Sequence, residues 1–170
     1  MKKLKKMVAV LLTAIMAMAM SVSVFASAQT GTLKVKVNDK NTLENQTIKV
    51  YKLFDLSRSG ENYAYTVNSE YEAILKQVLN ITKDDATSDD YYKALSSMTK
   101  DSEKIQSFAN DFTKAAITAK KAETAKKENL AKGTTEVSFD NLAYGYYLVY
   151  QTGTKEIQSS LVSLDAAEKK

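Results

Sequence analysis

Between Leu33 and Leu164 the period of the apolar positions changes twice. Leu33, Val35 and Val37 alternate with Lys34 and Lys36, which predicts a strand with one buried and one wet face. After a polar turn over Asn38 to Asn45, the run Thr47 to Leu56 sets Ile48, Val50, Lys52, Phe54 and Leu56 on one side. Lys49, Tyr51, Leu53 and Asp55 fall on the other. Neither side is wholly apolar, so this strand is expected to be covered on both faces or to carry a bulge. Arg58 to Asn62, with Gly60, then turns the chain into Tyr63 to Val67 and predicts a hairpin.

Helical spacing follows. Ser69 and Glu72 stand at the separation of a capping box ahead of Tyr71, Ile74, Leu75 and Val78, which predicts a short helix. Asp84, Asp85, Asp89 and Asp90 do not have the alternating acids, central Gly and terminal Glu of a calcium loop. Ser88 or Asp89 is therefore read as the cap of a second short helix through Tyr91, Tyr92 and Leu95. From Asp101 to Lys132, a stripe of Ile105, Phe108, Ala109, Phe112, Ala116 and Ala119 predicts the longest helix, ending at Gly133, with Glu123 and Lys127 as a favourable pair. The lysines at 120, 121, 126 and 127 are broken up by Glu123 and Glu128, which is the pattern of a solvated face. Strand period then returns at Val137 and Phe139, at Tyr144 to Tyr150 after a turn over Asp140 to Ala143, and at Ile157 to Leu164. Strands, then helices, then strands again predict an α+β fold: antiparallel sheets packed face to face as a β-sandwich, with a helical insertion between the early and late strands.

The first 28 residues obey other rules. Lys2, Lys3, Lys5 and Lys6 precede an apolar run from Met7 to Met20, and Ala26, Ser27 and Ala28 follow. This is the pattern of an export signal, with Ala26 and Ala28 fitting a signal peptidase and Gln29 becoming the first mature residue. The alternative is a retained anchor extended through Val24 and Phe25. Removal of 1–28 takes four lysines and no acid, so the formal net charge of +4 falls to zero. A neutral surface gives no reason to expect nucleic acid as a partner or a membrane beyond the leader itself. Residues 29–170 have the length of a single domain.

What is missing narrows the chemistry. The chain has no Cys, His, Trp or Pro. Disulfides, thiolate nucleophiles, the usual zinc sites and His-based triads are excluded, and neither a metal nor a cofactor is expected. Ser97, Met98, Thr99 and Lys100 match the Ser-x-x-Lys pattern of serine acyl-transfer enzymes, without that class's accompanying motifs. Ten tyrosines remain, and Tyr144, Tyr146, Tyr147 and Tyr150 would form a ligand platform if they faced outward, making the chain a free secreted binding module.

Four segments carry a more specific signal. Residues 51–56 read YKLFDL, 62–67 NYAYTV, 137–149 VSFDNLAYGYYLV and 160–165 SLVSLD. In this order they resemble the N-terminal domain of the isopeptide-forming-domain-containing fimbrial proteins of Gram-positive bacteria, the sortase-assembled pilin subunits. The GYYLV strand also resembles the collagen-adhesin B-type repeats, which are Ig-like sandwiches. The resemblance implies a non-enzymatic structural and adhesive module in the fimbrium or cell wall. Its partners would be other pilin subunits, further domains of the same subunit, and a host or extracellular-matrix ligand. Without Pro the chain carries neither a Leu-Pro sorting signal nor a Tyr-Pro-Lys pilin motif, so it is expected to be the leading piece of a longer pilin or a stand-alone secreted relative.

The same resemblance implies an isopeptide bond, made when a buried Lys amine attacks a carboxamide that a nearby carboxyl group polarises. Lys52 is the candidate amine, and Asp55 or Asp140 the candidate acid. The amide is lacking: no Asn follows Asn141, the last strand offers only Gln158, and Tyr150 and Gln151 occupy the place where related repeats set a Glu. Lys52 is therefore expected to be structural.

Overall fold

The strand-period segments pair into two antiparallel sheets, and the helical segments lie between them in sequence. The computed structural model describes residues 13–17, 29–38, 41–59, 62–153 and 158–165. In chain order the elements are β1 (Thr13–Ala17), β2 (Thr30–Lys36), β3 (Thr47–Ser59), β4 (Asn62–Val67), α1 (Glu72–Val78), α2 (Ser88–Ser96), α3 (Ser102–Thr118), β5 (Ala125–Lys127), β6 (Glu136–Ala143), β7 (Gly145–Thr152) and β8 (Gln158–Leu164). The smaller sheet has the order β1-β2-β6, and the larger β4-β3-β7-β8. Since β7 lines one edge of β3 from Thr47 to Asp55, β4 and β5 share the other edge, β5 against Ile48 to Val50 and β4 against Phe54 to Ser59. The fold is thus α+β with antiparallel strands and three helices among the described residues. Ala26, Ala28, Gly60 and Ile157 lie outside them.

Two apolar clusters explain why the middle strands are apolar on both sides. In one, Leu33 and Val35 of β2 and Val137 and Phe139 of β6 meet Ile48 and Val50 of β3 and Tyr147 and Val149 of β7. In the other, Tyr51, Leu53 and Phe54 of β3 and Tyr146, Leu148 and Tyr150 of β7 meet Leu75 of α1, Tyr91 and Leu95 of α2, and Phe108, Phe112 and Ala116 of α3. One face of the larger sheet therefore lies against the smaller sheet, and the opposite face lies against the helices.

A bulge permits this division. Strict alternation places Phe54 with Ile48 and Val50, but the register against β7 shifts between Lys52, opposite Tyr147, and Phe54, opposite Tyr146. Leu53 is the extra residue, and Phe54 joins Tyr51 and Leu53 on the helical side. The backbone freed by the shift finds partners elsewhere. The Lys52 N–H donates to the Thr124 hydroxyl (2.8 Å), the Asn68 side chain donates to the Lys52 carbonyl (2.9 Å), and the Asn68 N–H donates to the Leu53 carbonyl (2.9 Å).

Helix ends depart from the sequence reading for local reasons. No capping box forms at Ser69 and Glu72; α1 starts after Tyr71 without a side-chain cap, while Asn68 accepts from the Glu70 N–H. At α2 the cap is Thr87, reciprocated by Asp90, because the Ser88 hydroxyl is engaged by the Val67 N–H (3.0 Å). The Thr87 backbone N–H, then its hydroxyl, then Lys83 hold the Asp90 carboxyl down at about 2. The longest helix stops at Thr118, with Lys120 in the left-handed region (φ 53°), well short of Lys132. The chain beyond it is drawn onto the open edge of β3, where Thr124 N–H donates to the Val50 carbonyl (2.8 Å) and β5 begins. Glu123 consequently pairs with Lys126 rather than Lys127, and Gly133 (φ 78°) serves the turn before β6.

The turn expected over Asp140 to Ala143 is also absent. β6 runs through these residues with a register shift against β2, accompanied by a left-handed Asn141 (φ 58°), and only Tyr144 separates it from β7. Gly145 is where the chain changes sheets. A Cβ there would stand 2.3 Å from the Phe54 carbonyl oxygen and 3.1 Å from the Lys52 stem.

Gly145→Ala must push apart β3 and β7 at the bulge and is expected to destabilise the protein by about 2–3 kcal/mol. Gly133→Ala meets no neighbouring atom, suffers only from its positive φ, and is expected to cost about 1 kcal/mol. Urea unfolding midpoints of the two variants check the order.

Candidate functional site

The bulge in β3 gathers the principal chemistry-bearing side chains singled out in the sequence. Lys52 and Asp55 are three residues apart, and the shift between them brings the Lys52 ammonium to 2.5 Å from the Asp55 carboxylate. The Lys52 side chain is only 17% exposed, whereas that of Asp55 is 50% exposed. Opposite Lys52 lies Tyr147, fully buried, whose hydroxyl donates to the Ala143 carbonyl at the end of β6. Burial, reinforced by the Asp55 charge, pushes the Tyr147 phenol well above its usual range.

Asp140 is not part of this group. It lies on β6, in the other sheet, and accepts a hydrogen bond from the Thr32 hydroxyl (2.9 Å). Asn141 sits in the bulge of β6, and Gln158 lies opposite Gln151 on β8. The structure therefore brings Lys52 to Asp55 and leaves the other isopeptide candidates elsewhere. Amide closure between an amine and a carboxylate requires a second, protonated carboxyl group held dry beside them. Among the described residues only Asp55 is ion-paired with Lys52, and its half-exposed carboxylate remains in contact with water.

The tyrosine group divides between the two cores. Tyr146 and Tyr150 pack under the helices, Tyr147 packs toward the smaller sheet, and Tyr144 is partly buried against that same cluster. No ligand platform is left by these four. Tyr65 and Tyr92 stack with centroids 4.9 Å apart, and both meet Tyr146 edge to face. Burial raises the phenols of Tyr51 and Tyr146 to about 12, with the Glu123 charge adding to the first and the neighbouring Tyr92 and Tyr65 adding to the second.

Ser97 and Lys100 lie in the turn after α2, both exposed. The Ser97 hydroxyl donates to the Ala94 carbonyl (2.7 Å), and no hydrogen bond joins it to Lys100. Among the described residues no base is hydrogen-bonded to it. No cluster of carboxylates able to hold a metal ion occurs among the described residues. A groove of about 580 Å³ runs between α1 and α3, floored by Ile74, Val78 and Ala115 and rimmed by Gln77, Asp111 and Lys114.

Two groups were not foreseen from the sequence. Asn68 closes the bulge through its side chain and backbone, and only its place between a strand and a helix hinted at this. Gln46 and Gln151 form a buried amide pair, in which the Gln151 side chain donates to Gln46 and Gln46 donates to the Thr42 carbonyl. Nothing in the periodicity marked them, because both fall in positions that read as strand ends. No protein-family model matches the chain, and no curated protein matches it.

Intact-mass measurement is expected to give the full sequence mass of whichever form is purified, with neither water nor ammonia lost at Lys52. Alkaline titration should show Tyr51, Tyr146 and Tyr147 ionising together with unfolding. An unfolded tyrosine ionises near its ordinary value of about 10, so the stabilisation from keeping these phenols protonated is complete below that pH. It is lost as the pH rises from 10 toward 12. Phenolate absorbance followed beside circular dichroism checks that the two transitions coincide.

Proposed function

We propose that the chain is a structural and adhesive module of the bacterial cell surface, built as the N-terminal domain of a fimbrial (pilin) subunit. Residues 1–28 are its export leader, and residues 29–170 form one domain. In this reading the two sheets make an Ig-like β-sandwich of the collagen-adhesin B-type kind, with the three helices inserted between its early and late strands. Its partners are other pilin subunits or further domains of the same subunit, together with a host or matrix ligand. It is not an enzyme and uses no cofactor.

The observation that carries this proposal is the two-sided coverage of β3 and β7. Such coverage spends the large aromatic side chains on cohesion. Tyr146, Tyr147 and Tyr150 fill the interior, Lys52 is tied to Asp55, and Ser97 is held by its own helix end. A chain without Cys that is to survive outside the cell must obtain its stability from packing of this kind. Free tyrosine surface, the requirement of the secreted-binder alternative, is not offered by the 144–150 cluster.

Expression of the full chain with a C-terminal tag in a Gram-positive host is expected to yield an exported species whose first residue is Gln29. Immunogold labelling of the encoding organism is expected on fibres or on the wall. A species that keeps Met1 in the membrane would refute the leader, and label found only in the medium would refute the fimbrial role.

A further inference from the structure

The smaller sheet contains a strand from the segment that the proposed leader would carry away. β1 pairs with β2 without interruption from Thr13 opposite Lys36 to Ala17 opposite Thr32. Cleavage after Ala28 would fall one residue before β2, where the Gln29 carbonyl accepts the Tyr144 N–H (2.8 Å) and fixes the start of the mature sheet. Once β1 is gone, β2 keeps β6 on one side and presents bare N–H and C=O groups on the other. We infer that this edge of β2 is a strand-accepting surface, and that its occupant is an extended segment of another polypeptide in which apolar residues alternate with acidic ones. The inference rests on the leader reading above.

Both halves of that description come from β2 itself. Leu33 and Val35 are buried toward the larger sheet, so an added strand must continue the apolar layer at alternate positions. Thr32, Lys34 and Lys36 lie on the opposite face. On the β6 side this face is met by Glu136, Ser138 and Asp140, with Lys34 bonded to Glu136 (3.2 Å) and Thr32 to Asp140. Lys36 has no ion-pair partner among the described residues. Acids on an incoming strand would complete on the open side the pattern that β6 supplies on the other. A second copy of β2 is a poor occupant, because antiparallel pairing would set Lys34 and Lys36 of each copy among those of its mate. The other edge of this sheet is less suited, since β6 is kinked at its register shift.

The exported, processed chain is the material for the test, and its intact mass reports leader release independently of the edge. Amides of residues 32–36 that point away from β6 should exchange about tenfold or more faster in the processed chain than in full-length 1–170. A synthetic peptide copying residues 136–143, which carries acids at 136 and 140 and alternates them and Ser138 with Val137 and Phe139, should restore their protection, while a permuted peptide and one with Lys in place of its acids should not. Lys36→Glu should weaken the acidic peptide roughly fivefold and favour the lysine-bearing one. Protection of the processed monomer without peptide would overturn the inference. So would its protection in a dimer, equal binding of the lysine peptide, or failure of the acidic peptide to protect. Retention of residues 1–28 would overturn the leader reading, and with it the open edge.

Discussion

Two strands in the middle of this protein are covered on both faces over most of their length. β3 and β7 carry large apolar residues on both faces, one set toward the smaller sheet and one toward the helices. A strand with a period of two can serve both layers only if each face is apolar where it is covered. The shift at Lys52 and Phe54 satisfies that condition locally, turning Phe54 toward α2 while Lys52 remains on the other face and ends at Asp55. Without it, Phe54 would compete with Ile48 and Val50 for the inter-sheet space, and the helical layer would lose its central ring. Burial of one such side chain is worth about 1.5–3 kcal/mol.

The aromatic side chains bind the helices to the sheet. Phe54 meets Tyr65, Tyr92 and Tyr146 edge to face, and Tyr51 meets Tyr71 and Phe112 in the same way. Each such pair adds about 0.5–1.5 kcal/mol to the area it buries. Three of the hydroxyls reach a partner at the edge of the interior: Tyr71 donates to the Ala122 carbonyl, Tyr150 to the Asn110 side chain, and Tyr65 shares a hydrogen bond with Ser163. This network joins α1, α2 and α3 to β3, β4, β7 and β8 without a covalent link. It holds the helical layer to the sheet in a chain that has no Cys to do so.

Charge plays a lesser part. The pairs Lys93–Asp89, Lys104–Asp101 and Lys121–Glu70 join well-exposed side chains, where water and salt screen the attraction and little stability is gained. Lys52–Asp55 differs in having a largely covered cation at a break in the strand, where loss of Asp55 would strand an ammonium against Gly145 and Tyr147. The cluster is therefore read as a fastening of the bulge and not as a reactive centre.

The sequence by itself determined the period of each long segment, the order of strands, helices and strands, the antiparallel pairing of β3 with β4, and the doubt over the two faces of Thr47 to Leu56. These are properties of neighbouring residues, for which spacing is sufficient. It also excluded thiolate, imidazole and zinc chemistry by composition. What it did not determine depended on partners distant in the chain. The Ala- and Lys-rich stretch after Thr118 is a good helix former, yet it leaves the helix because β3 has an open edge for Thr124 and β5 to fill. Ser88 is a good cap, yet Val67 claims its hydroxyl. Lys52 found its acid in Asp55 rather than Asp140 because the bulge, which the period allowed for without giving its place, falls between Lys52 and Phe54 and turns the strand there. Local pattern fixed which elements form; competition for unpaired backbone groups and for space between layers decided where they end and which side chains meet.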